Sequence, residues 1–181
     1  IARAARLITR VERLAAELER DAHKAFDPPH TTLNVGLVSG GTAKNIVAGE
    51  CRFTLEWRPV PGQRPELVAE LVRREMESLR AEDDDFDAAL EVVRLAGGME
   101  TPAHAPLVRA LEELSGTSAG TISFGTEAPQ LGELGAQAVV LGPGDIRVAH
   151  RTGEFVPAAE LRAAVTILRG VIERFAAPGH Q

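Results

Sequence analysis

The chain of 181 residues has one cysteine, Cys51, no tyrosine, and an aromatic content of only 4%. One cysteine cannot form an internal disulfide or a thiolate zinc cage, and it fits a reducing compartment such as the cytoplasm. No apolar run approaches the roughly 20 residues that cross a bilayer. We therefore expect a cytoplasmic protein without a membrane partner.

A strong basic charge is also lacking, because the formal net charge is −6 and basic residues alternate with acidic ones. This excludes the electrostatic footprint of a nucleic-acid-binding protein. Hydrophobic residues make up 44% of the chain and charged residues 25%, a balance typical of a globular protein with a sizeable core. Residue 1 is isoleucine and a helix begins at once, so we expect that an N-terminal portion is missing.

Apolar periodicity divides the chain near Gly97 and Gly98 into residues 1–97 and 98–181. The first part has the pattern α-β-β-α-β, one strand short of a ferredoxin-like domain, and the missing strand would precede Ile1. The second part has the alternation of a fragment of an α/β layer. The predicted helices are 2–24, 64–82, 106–114 and 158–175, with a turn or short helix at 127–135, and the predicted strands are 31–38, 46–57, 90–95, 121–124 and 138–142.

Each motif taken alone is weak evidence for a function. Gly40 and Gly41 lack the spacing of a phosphate loop and are better explained by a glycine-rich hairpin. Cys51 lies within a strand pattern, where a small buried side chain is expected. His150 differs because it follows a predicted strand and the turn Gly142-Pro143-Gly144, where α/β sheets place ligand-binding loops. No chemical role is expected for His23, His30, His104 and His180.

Several linked segments together resemble the M20 metallopeptidase and deacylase family. They are TTLNVGLVSGGTAKNIV at 31–47, EWRPVPG at 56–62, FGTEAPQL at 124–131 and AVVLGPGDIRVAHRTGEFVP at 138–157. The resemblance implies an α/β protein: a ferredoxin-like lid and dimerisation domain over residues 1–97, then the C-terminal part of a zinc-peptidase-like catalytic domain over residues 98–181. It also implies a homodimer formed through the lid.

Within the family, the later segments most resemble deacetylases that act on N2-acetyl-L-ornithine, in arginine biosynthesis. That resemblance implies hydrolysis of a small N-acyl amino acid with two divalent metals, zinc being expected and cobalt the alternative. The other interpretations are a different enzyme of the family, namely a desuccinylase, an aminoacylase or a carboxypeptidase, or a non-catalytic dimerisation module. The family's general base and its other metal ligands would precede Ile1, so the chain as given lacks most of the catalytic residues.

The resemblance also assigns roles to individual residues. His150 matches the last metal ligand of the family, with a loop or capping histidine as the alternative. Asn45 matches an asparagine that reaches the active site of the partner subunit, with a turn-forming role as its alternative. Arg58 matches an arginine that clamps the substrate carboxylate, and the alternative is a strand-surface ion pair. Glu56 replaces the aspartate of that motif.

The turn Gly125-Thr126-Glu127 completes the predicted site. Gly125 would let substrate approach the backbone, and the amide and hydroxyl of Thr126 would donate to a carboxylate. Glu127 would favour the side-chain ammonium of acetylornithine. Its alternative is structural, since a carboxylate is also favourable at a helix N-terminus.

Overall fold

The computed structural model describes residues 1–176, so His180 lies outside the described residues. The chain forms two compact units. The first contains Ile1–Met99 and the later segment Thr121–Gly125, and the second contains Glu100–Gly120 and the described residues from Thr126 onward. The domain division predicted at residue 97 did not anticipate the short segment that returns to the first unit.

Helices dominate the described residues, with one small sheet. In chain order the elements are α1 (Ala2–Leu18), β1 (Thr32–Gly40), β2 (Cys51–Arg58), α2 (Leu67–Glu82), α3 (Pro106–Ser115), α4 (Ala128–Glu133), a 3-10 turn (Ile146–Val148) and α5 (Ala158–Phe175). The predicted mixture of helices and strands, an α/β class, is confirmed. Within residues 1–176, no helix is both long enough and apolar enough to cross a membrane.

Strands β1 and β2 pair as antiparallel neighbours, as the sequence predicts, with Gly40 opposite Cys51. The register shifts by one residue at Gly36, which forms a bulge in β1. β2 begins at Cys51, five residues later than the predicted start at Ile46. The ladder ends at Gly40, and Gly41 then adopts a φ of 77°, which turns the chain into a loop that contains Ile46.

The core of the first unit is built by α1, α2 and one face of the hairpin. Buried residues recur every three or four positions in both helices, and alternate residues of β2 face the same core. Each fully buried side chain of this kind stabilises the fold by roughly 1.5–3 kcal/mol. The buried members are Leu7, Val11, Leu14, Leu18, Val68, Val72, Met76, Leu79 and Phe86, with Leu33, Val35, Phe53, Leu55 and Trp57 packed against them.

Helix α1 is shorter than predicted, since it ends at Leu18 and not near residue 24. The next positions on its buried face, three and four residues further on, hold Asp21 and Ala22. A carboxylate and a single methyl group add little apolar area to the core. The helix therefore ends where its apolar stripe ends.

Three predicted strands, at residues 90–95, 121–124 and 138–142, belong to no sheet in the described part of the chain. A strand needs ladder hydrogen bonds to a neighbour, and the only ladder among residues 1–176 joins β1 to β2. The apolar patterns indicated burial, but they carry no information on whether a neighbouring strand is there to pair with. The predicted third strand of the ferredoxin-like order is therefore wrong for the described residues.

In the second unit α3 and α5 pack against each other. Gly170 allows close approach, because a Cβ there would lie 2.7 Å from Leu114 Cδ2. Arg174 Nη1 donates to Glu113 Oε2 at 2.5 Å between the same two helices. Helix α5 also carries a stripe of apolar side chains that are about half exposed: Leu161, Val165, Leu168, Ile172 and Phe175.

Gly98 lies against the backbone of Pro59–Pro61, which gives a stability prediction. A Cβ at residue 98 would be 2.6 Å from the Pro61 nitrogen and 2.7 Å from the Pro59 oxygen. Gly98→Ala should therefore lower the free energy of unfolding by about 1–3 kcal/mol, measured by urea denaturation. Gly97→Ala is the matched control, since its Cβ would meet only Pro65 Cγ, at 3.6 Å. Equal stability of the two variants would contradict the prediction.

Candidate functional site

His150 lies in the loop that joins the 3-10 turn Ile146–Val148 to α5, and its side chain is exposed. Its φ of 59° makes it the only non-glycine residue with left-handed backbone among residues 1–176. For a residue with a Cβ this conformation is unfavourable and is usually maintained by surrounding contacts. The loop must therefore hold His150 in place through specific bonds.

Asp145 organises the turn that precedes His150. Its Oδ1 accepts a hydrogen bond from the backbone amide of Arg147 at 2.9 Å, and its carbonyl oxygen accepts one from Val148 at 3.0 Å. The guanidinium of Arg147 also binds the carboxylate. The guanidinium and then the backbone amide of Arg147 lower the pKa of Asp145 to about 2. The carboxylate is therefore ionised, and caps the turn, at neutral pH.

Two glutamates bind backbone amides on either side of this turn. Glu160 in α5 accepts from the amide of Gly144 at 2.8 Å, and Glu154 accepts from the amide of His150 at 2.9 Å. Both bonds pair a carboxylate oxygen with a main-chain N–H, the charge-assisted type that is stronger than a neutral hydrogen bond. The loop that presents the imidazole is thus fixed at both ends.

Arg58, the last residue of β2, has two observed partners. Its Nε donates to Glu56 Oε1 at 3.0 Å, and its Nη1 donates to the carbonyl oxygen of Ser123 at 3.1 Å. The predicted strand-surface ion pair is therefore present, although 57% of the Arg58 side chain is exposed. The bond to Ser123 joins Arg58 to the segment Thr121–Gly125, whose Thr121 hydroxyl donates to the Ala25 carbonyl oxygen at 2.6 Å.

The turn Gly125-Thr126-Glu127 leads from that segment into α4. Gly125 is exposed, and no atom lies within 4 Å of the position of an added Cβ. The Thr126 hydroxyl accepts from the amide of Ala128 at 3.1 Å, so it already serves the start of α4. Glu127 is the residue before α4, is exposed, and makes no capping hydrogen bond with its side chain. This geometry leaves its carboxylate accessible to solvent or substrate.

Asn45 lies in the connection between β1 and β2, and its side chain is exposed. Its backbone is not left-handed, and its side chain makes no hydrogen bond within the described residues. Asn45 nevertheless lies inside a turn, because the Ile46 amide donates to the Ala43 carbonyl oxygen at 3.2 Å, so the turn-forming alternative has this contact in its favour. Neighbouring Val47 is 95% exposed. The tip of the hairpin thus presents an amide and an apolar side chain to solvent.

The sequence did not predict four hydrogen-bonding roles. They are the acceptor role of Thr126 and the roles of Asp145, Glu154 and Glu160. Thr126 stands two residues before a helix that has proline in its first turn, and Asp145 stands directly before the 3-10 turn. Both are recognisable capping positions. The bonds of Glu154 and Glu160 depend on how a loop folds back, and no local pattern indicates them.

Comparison with known proteins shows which family the chain resembles. The profile of the peptidase dimerisation domain matches residues 1–84. A protein named acetylornithine deacetylase from Myxococcus xanthus is 49% identical over 97% of this chain. Proteins of the same name from Edwardsiella ictaluri and Proteus mirabilis are 34% and 31% identical over 87% and 93% of it.

Residues 1–84 thus match the M20 peptidase dimerisation domain, and the chain as a whole is similar to these deacetylases. It spans 46%, 41% and 43% of the lengths of these three relatives, which is less than half of each. The M20 resemblance drawn from the sequence is confirmed by both kinds of match.

A catalytic metal of an M20 hydrolase would need several protein ligands, commonly three for zinc. In the part of the chain that the structure describes, no three His, Cys, Asp or Glu side chains are grouped to hold a metal ion. His150 offers one imidazole, and the Glu154 carboxylate binds the His150 amide. The described residues thus fit a single ligand position and do not form a metal site by themselves.

The pKa of Asp145 makes the turn before His150 sensitive to acid. An unfolded aspartate titrates at about 3.9, and Asp145 titrates at about 2 in the folded protein. The ionised carboxylate therefore stabilises the fold above about pH 4, and this stabilisation is lost as the pH falls to about 2. An NMR titration should show a midpoint at about 2 for the Asp145 carboxyl carbon and for the Arg147 amide.

Asp145→Asn is the control for this titration, because the amide side chain keeps an oxygen acceptor but has no proton to lose. It should abolish the acid transition of the Arg147 amide. A midpoint of about 4 in the unaltered protein would mean that Arg147 does not bind the carboxylate in solution.

Proposed function

We propose that this chain is part of an M20 amide hydrolase that converts N2-acetyl-L-ornithine to L-ornithine and acetate. The observation that carries the proposal is the similarity to proteins named acetylornithine deacetylase, which extends over 97% of the chain in the Myxococcus xanthus protein. The same similarity supports a place in arginine biosynthesis and in the cytoplasm. We expect the remaining ligands and the general base to be supplied by residues outside this chain.

His150 is our candidate for one ligand of a two-metal site, with zinc expected and cobalt as the alternative. The neutral imidazole is a common ligand of these metals. Its exposed ring and the hydrogen-bonded backbone of its loop support the assignment, because a ligand must be presented in a fixed place. When bound, the two ions would polarise the amide carbonyl and activate a water molecule.

The exposed stripe of α5 supports the view that the second unit is part of a larger catalytic domain. Its apolar side chains follow one face of the helix over more than three turns. Contiguous apolar surface of this kind generally marks an interaction site, and helices in α/β proteins bury such faces against a sheet. We expect the rest of the longer protein to cover it.

Arg58, Gly125 and Thr126 are our candidates for binding the substrate carboxylate. Arg58 already contacts the segment that ends at Gly125, through its bond to Ser123. Gly125 leaves its backbone open, and the Thr126 hydroxyl keeps its O–H free to donate, because it accepts from Ala128. These three residues would orient the N-acyl amino acid, while Glu127 would attract the ornithine ammonium.

Subunit association is proposed to occur through the first unit, as a homodimer. The match of residues 1–84 to a peptidase dimerisation domain supports this. Asn45, at the exposed tip of the hairpin, would then reach the active site of the partner subunit. Neither a membrane nor a nucleic acid is a proposed partner. A non-catalytic dimerisation module is the alternative function, and another M20 deacylase is the alternative enzyme.

The central test compares this chain with a version extended to its natural N-terminus. The extended protein should bind two zinc ions per subunit and hydrolyse N2-acetylornithine, and the 181-residue chain should do neither. His150→Ala in the extended protein should lower zinc occupancy and remove most activity, because a two-metal site would lose a ligand. Unchanged zinc stoichiometry and turnover in this variant would exclude His150 as a ligand. If the short chain hydrolyses N2-acetylornithine and a chelator abolishes this activity, the proposal that the other ligands and the general base lie outside this chain is contradicted.

Substrate choice is tested at Glu127. Loss of a charge-assisted contact changes binding by about ten- to a hundredfold, so Glu127→Gln should lower kcat/KM for acetylornithine by that factor. Hydrolysis of acetylmethionine, which has no side-chain ammonium, is the matched control and should change little. Equal losses of kcat/KM on both substrates, with folding intact, would indicate that Glu127 has only a structural role at the start of α4.

A further inference from the structure

The left-handed backbone of His150 needs a cause within its own loop. Histidine has a Cβ, so a φ of 59° costs free energy that glycine would not incur. Gly153, three residues later, has a φ of 83°, and the Glu154 amide donates to the Arg151 carbonyl oxygen at 3.0 Å. These features describe a tight turn over residues 151–154 that reverses the chain.

That reversal brings the side chain of Glu154 back to the backbone of His150. Glu154 Oε2 accepts from the His150 amide at 2.9 Å. The bond closes a ring from the backbone of the histidine, through the turn, to the carboxylate. Without it the His150 amide would have only solvent to donate to, and no other hydrogen bond would join His150 to the turn at residues 151–154.

We propose that Glu154 is a positioning residue that keeps His150 in its left-handed conformation and thereby fixes the direction of the Cα–Cβ bond from which the imidazole projects. The inference rests on the proposed function, in which that imidazole is a metal ligand. Glu154 acts on the backbone and not as a ligand itself. Its contribution is to limit the positions of the ring before a metal binds.

The test uses the full-length protein labelled with ¹⁵N-histidine, in which His150→Ala identifies the His150 signal. Three further variants are compared: Glu154→Ala, which removes the acceptor, Glu154→Gln, which keeps one amide oxygen in its place, and Glu173→Ala, which removes an exposed glutamate of α5 as the matched control. The readouts are the solvent-exchange rate of the His150 amide in the metal-free protein and the affinity for zinc alone, measured by competition with a chelator.

Glu154→Ala should speed exchange of the His150 amide and weaken zinc binding, each about tenfold, as is typical for partners that orient a ligand. Glu154→Gln should restore most of both values, and Glu173→Ala should change neither. An unchanged exchange rate in Glu154→Ala, or a Glu154→Gln variant no better than alanine, would overturn the inference alone. Unchanged zinc stoichiometry in His150→Ala would instead overturn the proposed function.

Discussion

The burial of two helix stripes against one face of a hairpin is the interaction on which the first unit depends. A two-stranded sheet is at best marginally stable in water, and β1 and β2 are the only paired strands in residues 1–176. Helices α1 and α2 supply the missing apolar surface, with Leu79 and Val68 each only 1% exposed. Because β2 is held along its length, its last residue, Arg58, is placed by the core although its own side chain is exposed.

Charged side chains add a second link between the same two helices. Arg10 of α1 binds Glu75 and Glu82 of α2, and Arg3 and Arg6 bind Asp83 directly after it. Hydrogen bonds from these arginines lower the pKa values of Glu82 and Asp83. The stabilisation is therefore present above the ordinary carboxyl range and is lost in acid. Exposed pairs contribute little individually, so these bonds align the helices while the apolar core supplies most of the stability.

Periodicity in the sequence predicted the helices well, because a helix satisfies its own backbone and needs only one apolar face. Helix α5 begins and ends at the predicted residues and α3 differs by one, whereas α2 begins three residues later and α1 ends six residues earlier than predicted. The strand at 90–95 was predicted wrongly because pairing depends on a partner that local sequence does not specify. The roles of Glu154 and Glu160 were missed for a similar reason, since both bind backbone amides that come close only after the loop has folded. The residue roles at His150, Asn45 and Glu127 remain predictions.

The structural contacts of Arg58 are compatible with the binding role proposed for its side chain. A guanidinium has five N–H donors in a fixed plane. The bonds to Glu56 and Ser123 use one donor on Nε and one on Nη1, and no bond from Nη2 is seen within residues 1–176. The ion pair that was the rival interpretation therefore orients the plane of the guanidinium. Its Nη2 side stays available to a carboxylate. Under the proposed function, the substrate would therefore meet an arginine whose direction is already set by the fold.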